Sequence, residues 1–233
     1  MAGRGEMSEM DQEINPRVLM LTKDGSWQYA ADPVHYDKKR AGVGLARSFA
    51  LELIKRDANI TIGLVPAACG GSPISAWVPG AYHDQTDSHP YDDAIKRAKK
   101  AMQDGQLAGI LWHQGESDSR PARSALYKER LLELVQRFRS DLETPDLPFI
   151  IGQLGQFEGK PWTPDRQRIN QVQIEVAAEV PMAAFVSSDG LTSKADNTHF
   201  NTESLHEFGR RYAVQYLRVA AEAEKRGQSK VPE

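Results

Sequence analysis

The sequence predicts an α/β protein whose sheet is mainly parallel and covered by helices on both faces. Three observations carry this. Short apolar or β-branched runs alternate with longer stretches whose apolar residues recur at helical spacing. The runs are apolar almost throughout, as strands buried on both faces must be. The polar, chemistry-bearing blocks fall directly after such runs, at the carboxyl ends of strands, where open α/β sheets bind ligands.

Val43 to Asp57 carries Val43, Ala46, Phe49, Ala50 and Leu53 on one helical face, and Asn59 to Ala68 follows as a buried strand. Tyr91 to Gln103 reads as a helix and Gly109 to His113 as the next strand. Pro121 to Leu142 reads as one long helix, with Tyr127, Leu131, Leu134 and Phe138 inward and Pro121 at its start. Pro148 to Leu154 is a strand, Thr163 to Val180 a helix, and Met182 to Ser187 a strand. Glu203 to Ala223 closes the chain as a helix, with Leu205, Phe208, Tyr212 and Tyr216 inward. Asn15 to Arg40 resists the alternation and reads as an irregular excursion near the mouth of a site. Four strands make a thin sheet for this length, so a strand ahead of residue 1 is expected.

At 233 residues the chain fits a single domain, and chains of this size bury about 70% of their unfolded surface. A net charge of −3, with basic residues scattered among acids, gives no reason to expect nucleic acid or an anionic membrane as partner. Cys69 is the single cysteine, which excludes an internal disulfide. No apolar run approaches the ~20 residues that cross a bilayer. Met1 to Asp11 is too polar for a secretory signal. The cytoplasm is therefore the default compartment, and any signal peptide would lie upstream. Oligomeric state is not legible.

Two blocks carry chemistry. In Asp196-Asn197-Thr198-His199 a carboxylate precedes a histidine by three residues, close enough to accept its Nδ1–H and fix the tautomer. That is two-thirds of a hydrolytic triad. Trp112-His113-Gln114-Gly115-Glu116-Ser117-Asp118 follows a strand and offers Gln114 as an amide donor. Cys69-Gly70-Gly71-Ser72, after another strand, offers backbone N–H groups to a developing oxyanion. His83, Asp84, Asp87 and His89 match no standard metal-ligand spacing, and no metal or organic cofactor is expected. His35 borders a pocket or packs in the core, Trp77 and Trp162 stack on a sugar or fill the core, and His206 is expected on the surface. No Walker or GxGxxG pattern occurs.

These blocks together resemble the SGNH hydrolase superfamily, and within it the family-six carbohydrate esterases, which include sialate O-acetylesterase-like and acetylxylan esterase-like proteins. The likeness rests on Met1-Ala2-Gly3-Arg4-Gly5, Asp32-Pro33-Val34-His35, Gly42-Val43-Gly44, Gly70 to Trp77, Trp112 to Asp118 and Asp196 to Phe200, in family order. It implies a flavodoxin-like three-layer α/β/α sandwich and a serine esterase that removes O-acetyl groups from carbohydrates. By resemblance His199 is the base and Asp196 its orienting acid, with Glu116 a competing candidate for the acid. The Gly70 and Gly71 backbone and Gln114 hold the oxyanion. The family's nucleophile sits in Gly-Gln-Ser-Asn-Met-Ala-Gly-Arg-Gly, so the serine is expected two residues ahead of Met1, together with the first strand. Ser26, Ser72 and Ser117 lack a nucleophile's strand–turn context. The alternative is a catalytically inactive carbohydrate-binding or scaffold protein of the same fold.

Overall fold

A computed structural model describes residues 2–228; Met1, first of the Met-Ala-Gly-Arg-Gly block, lies outside the described residues. Among the described residues there are six strands: β1 (Val18–Leu21), β2 (Trp27–Tyr29), β3 (Ile62–Leu64), β4 (Ile110–Trp112), β5 (Phe149–Gly152) and β6 (Ala183–Val186). They form two three-stranded halves, ordered β2-β1-β3 and β4-β5-β6. Every pairing is parallel except β1 with β2. In register, Val18, Leu19 and Met20 face Ile62, Gly63 and Leu64, while Ile110, Leu111 and Trp112 face Phe149, Ile150 and Ile151. All four residues of β5 are buried, as expected of a parallel strand covered on both faces.

The segment 15–40 is not an irregular excursion. It holds the β1–β2 hairpin, turned by Gly25 at φ +86° and by a polar knot of Thr22, Asp24 and Ser26. Its signal is weak because β2 faces solvent and carries no apolar run. Past the hairpin the segment does reach the cleft described below, through Val34, His35, Lys38 and Arg40.

Helices form the outer layers. On one face α1 (Ala46–Arg56) and α6 (Thr202–Gln228) enclose a core of Leu45, Phe49, Leu53, Ile150, Ala184, Phe208 and Tyr212. The two helices approach so closely that a Cβ on Gly209 of α6 would lie 2.8 Å from the Ser48 Cβ. On the other face α2 (Pro90–Ala101), α4 (Tyr127–Asp141) and α5 (Pro164–Glu179) cover Trp112, Phe149, Ile151 and Leu154. Helix α2 starts on Pro90, with Asp92 and Asp93 in its first turn and Lys99 and Lys100 in its last, complementing the helix dipole. Thr163 caps α5, its Oγ1 accepting the Arg166 N–H at 3.2 Å.

The expected single helix over 121–142 is broken. A short α3 (Pro121–Ser124) ends where Leu126 N–H bonds back to Arg123 O in a tighter turn, and α4 starts at Tyr127. The break lets Ser124 reach Asp165 at 2.6 Å and sinks the Tyr127 ring, which is fully buried. Trp77 is core: its indole packs edge-on against Trp112 and donates to Ser72 Oγ. His206 is half-buried, with Nε2 2.9 Å from Asp11 Oδ1.

Between β3 and β4 runs a cleft of about 850 Å³, lined by residues 61–72 on one side and 104–114 on the other. No helix among the described residues is long and apolar enough to cross a membrane.

Candidate active site

His199 and Asp196 sit at the carboxyl end of this cleft, on the loop between β6 and α6. The loop folds because one carboxylate oxygen acts as a local acceptor. Asp196 Oδ1 takes the N–H groups of Thr198 and His199, both at 2.9 Å. That turn swings the imidazole back, so that Nδ1 lies 2.7 Å from Asp196 Oδ2. Asn197 takes φ +49°, and Lys194 N–H closes the loop onto His199 O at 2.8 Å. Three-residue spacing is thus what an Asx turn needs to present both oxygens. Among the described residues His199 Nε2 has no hydrogen-bond partner, and the ring lines the cleft. Partial burial would raise the Asp196 carboxyl. The His199 backbone and ring and the Thr198 N–H outweigh it and hold the group down at about 2.

Glu116 shares the cleft with His199 but makes its contact with another histidine: its Oε1 lies 3.9 Å from Nδ1 of His113. His113 itself is a core residue. Its Nε2 meets Gln153 O at 3.0 Å, its ring packs edge-on against Phe200 and Phe208, and burial pushes it down to about 4, so it is neutral at pH 7.

The glycine turn after β3 is wired into its surroundings. Gly70 N–H donates to Asp37 Oδ2 at 2.9 Å, and Asp37 also holds Arg4 through a two-pronged ion pair, the shorter contact 2.7 Å. Gly71 has φ +87°, and its N–H has no partner among the described residues; its carbonyl accepts Ser117 Oγ at 2.7 Å. Gln114 is buried. Its Nε2 donates to Ser72 O at 3.0 Å and to Asp118 Oδ2 at 2.5 Å, while its Oε1 accepts from the Tyr127 hydroxyl at 3.1 Å. Gln114 therefore ties the glycine turn to the end of β4, and its donors are engaged.

No serine among the described residues bonds His199. Ser72 Oγ is held between Trp77 and Cys69 O, Ser117 Oγ bonds Gly71 O, and Ser26 sits in the β1–β2 turn. Sequence reasoning missed Arg4 and Asp37 as site residues, although both bear on the cleft floor at Gly70. Arg4 stands in a motif already singled out, but nothing in the sequence links it to an acid 33 positions on. His35 lines the cleft half-buried, and its desolvation there pushes it down to about 3. Around residues 83–89, His83 makes backbone bonds to Ser88 and His89 Nδ1 lies 3.1 Å from Ala81 O. Among the described residues no group of three or more His, Cys, Asp or Glu side chains could hold a metal ion.

Residues 1–218 match the family described as carbohydrate esterase, sialic acid-specific acetylesterase. The chain belongs to that family. It is 33% identical over 210 residues to a protein of Arabidopsis thaliana described as a probable carbohydrate esterase, covering 87% of this chain and 75% of the relative. A solved X-ray structure of an Arabidopsis thaliana protein superposes with a TM-score of 0.82 at 29% identity, over 94% of this chain and 93% of the other. Two more distant structures share the fold. A carbohydrate acetylesterase from Xanthomonas citri gives a TM-score of 0.70 at 20% identity, over 92% of this chain and 52% of that one. NanS gives 0.71 at 17% identity, over 95% and 93%. The fold is the three-layer α/β/α arrangement with a mainly parallel sheet, and family membership makes the chain a carbohydrate esterase by descent.

Proposed function

We propose that the protein is a serine esterase that removes O-acetyl groups from carbohydrates, with the nucleophilic serine carried by a segment ahead of Met1. The observation that carries this reading is the His199–Asp196 pair, with His199 Nε2 free of partners among the described residues, lining the same cleft as the Gly71 N–H. A base oriented by a carboxylate, in one cleft with a free backbone donor, is the arrangement that acyl transfer needs.

The serine Oγ attacks the acetyl carbonyl carbon and its proton passes to His199 Nε2. Asp196, ionised, stabilises the imidazolium through Nδ1. The oxyanion takes the Gly71 N–H. Gly70 and Gln114 join it once their present partners, Asp37, Ser72 O and Asp118, yield. Collapse expels the sugar alkoxide, which takes the proton from His199, and leaves an acetyl-serine. His199 then takes a proton from water as it attacks that ester; the C–Oγ bond breaks, Ser Oγ takes the proton back from His199, and acetate leaves. No metal or organic cofactor takes part. The substrate is an acetylated carbohydrate, since the family and the Xanthomonas citri structure are described by that chemistry.

The test compares p-nitrophenyl acetate hydrolysis by residues 1–233 and by the chain extended upstream with a strand and Gly-Gln-Ser-Asn. Activity in the extended chain alone, lowered about 10⁴-fold by His199→Ala, is the expected result. No activity in either, with both giving cooperative melts, overturns the esterase reading in favour of the inactive carbohydrate-binding alternative.

A further inference from the structure

The Asp196–His199 pair is not secured by burial. Its side chains are 46% and 38% exposed, and an exposed charged pair contributes little order of its own. The turn that joins them also keeps Asn197 at φ +49°, a conformation that costs any residue with a side chain. A four-residue surface turn so built opens readily unless something outside it holds it shut.

A second loop lies against it. Between β5 and α5 the chain makes a tight turn, with Lys160 N–H on Phe157 O at 2.9 Å, and Trp162 Nε1 closes the loop's base onto Gly155 O at 2.8 Å. Three residues of this loop each engage one residue of the segment around His199. Phe157 is buried and packs edge-on against Phe200, the residue after His199, with ring centroids 5.1 Å apart. Lys160 Nζ donates to Thr198 Oγ1 at 3.1 Å, and that hydroxyl donates on to Asp196 O at 3.0 Å. Gly159 meets Asn197: a Cβ on it would lie 2.7, 2.8 and 2.9 Å from Nδ2, Cγ and Oδ1 of the amide. Three nearly equal distances mean that the amide lies face-on to the glycine, a seat that only a residue without a side chain provides. Gly159 is itself outside the left-handed region, so the contact and not the backbone excludes a larger residue.

We infer that the loop from Gly155 to Trp162 is a brace that keeps the Asp196–His199 turn closed, with Gly159 and Lys160 as positioning residues for the base. This rests on the proposed function, in which His199 takes the proton. Neither residue lines the cleft. They act through Asn197 and Thr198, the two residues between the acid and the base, and so set how much of the time Nδ1 stays on the carboxylate.

Residues 1–233 are labelled with nitrogen-15 histidine, and His199→Gln identifies the ring among the six histidines. At about pH 9, above the ordinary histidine range, the ring-nitrogen shifts report the tautomer: Nδ1–H where Asp196 holds the ring, mostly Nε2–H where the ring is free. The unaltered chain is expected to show Nδ1–H. Gly159→Ala is expected to move the ring to the free mixture while its melt stays cooperative. Lys160→Met is expected to move it the same way, and Lys160→Arg, which can donate to the same oxygen, to keep Nδ1–H. In the chain extended with a strand and Gly-Gln-Ser-Asn, Gly159→Ala is expected to lower kcat about 10²-fold with KM within about twofold. If Gly159→Ala does not melt cooperatively, Lys160→Met against Lys160→Arg decides. The proposal is overturned if Gly159→Ala or Lys160→Met melts cooperatively and keeps Nδ1–H, or if Lys160→Arg loses it as Lys160→Met does. A free ring in the unaltered chain, or an unchanged kcat for Gly159→Ala in an active extended chain, overturns it too. The tautomer is read without turnover, so an inactive extended chain whose ring responds as expected counts against the esterase reading and supports the brace.

Discussion

Asp32 is buried, at 2% exposure, with one oxygen accepting Gly44 N–H at 3.1 Å and the other without a partner among the described residues. Burial pushes its carboxyl up to about 6 from an ordinary 3.8, against the pull of Gly44 N–H and the positive charge of Arg47, with Asp11 adding repulsion. In the folded protein Asp32 therefore keeps its proton through a range where the unfolded chain has lost it. Because the folded state binds more protons there, stability falls as pH rises from about 4 to about 6 and stays lower above. A shift of about two units at about 1.4 kcal/mol each makes the loss about 3 kcal/mol at most. Asp32→Asn cannot ionise, and its Oδ1 can still accept from Gly44. Its buried amide hydrogens cost about 1–3 kcal/mol, so the net effect at pH 7 is small and the slope carries the information. Urea unfolding of both proteins at pH 4, 5, 6 and 7 gives the difference curve, in which groups remote from Asp32 cancel. The wild-type protein is expected to lose about 2–3 kcal/mol relative to Asp32→Asn across that range. Parallel curves would refute a protonated, destabilising Asp32.

In the chain extended as in the test above, Asp196→Asn is expected to lower kcat on p-nitrophenyl acetate by about 10⁴, whereas Glu116→Gln costs under about tenfold; the reverse order would make Glu116 the orienting acid. Because Asp196 titrates near 2, it adds no step to the pH–rate profile above pH 3, and it supports folding above pH 4 with that support lost as pH falls toward 2. Tyr127→Phe removes the hydroxyl that binds Gln114 Oε1 and leaves that oxygen buried without a donor, at a cost of about 1–3 kcal/mol in urea unfolding. Gly209→Ala forces a methyl against the α1 backbone, with Phe49 N at 2.9 Å. The overpacking exceeds the helix propensity gained, for a net loss of about 2 kcal/mol and a Tm about 4–8 °C lower by calorimetry.

The most legible strand is the one buried along its whole length. β5, with Phe149, Ile150 and Ile151, reads as apolar whichever way it is turned, whereas β2 keeps Gln28 and Tyr29 in solvent and carries no such mark. Helix breaks are settled by distant partners. Nothing local to Ser124 announces its bond to Asp165, 41 positions on, or that Tyr127 must turn inward to reach Gln114. The site divides in the same way. Asp196 and His199 meet through a turn of four residues, which spacing can reveal. The engagement of Gly70 by Asp37 and of Gln114 by Ser72 and Asp118 depends on three separate loops meeting at the cleft.

That difference bears on how the site would work. The base and its acid are preorganised within one short loop, so their geometry holds whatever fills the cleft. The oxyanion donors are not local. Gly70 N–H is taken by a carboxylate that also clamps Arg4, and Arg4 lies three residues from the start of the chain, in the cleft wall. Arg4→Ala removes that clamp. In the chain extended as in the test above, the glycine turn is expected to lose its fixed position, with kcat lowered about 10²-fold or more and KM little changed. An unchanged kcat would refute a role for the Arg4–Asp37 pair in holding the oxyanion donors.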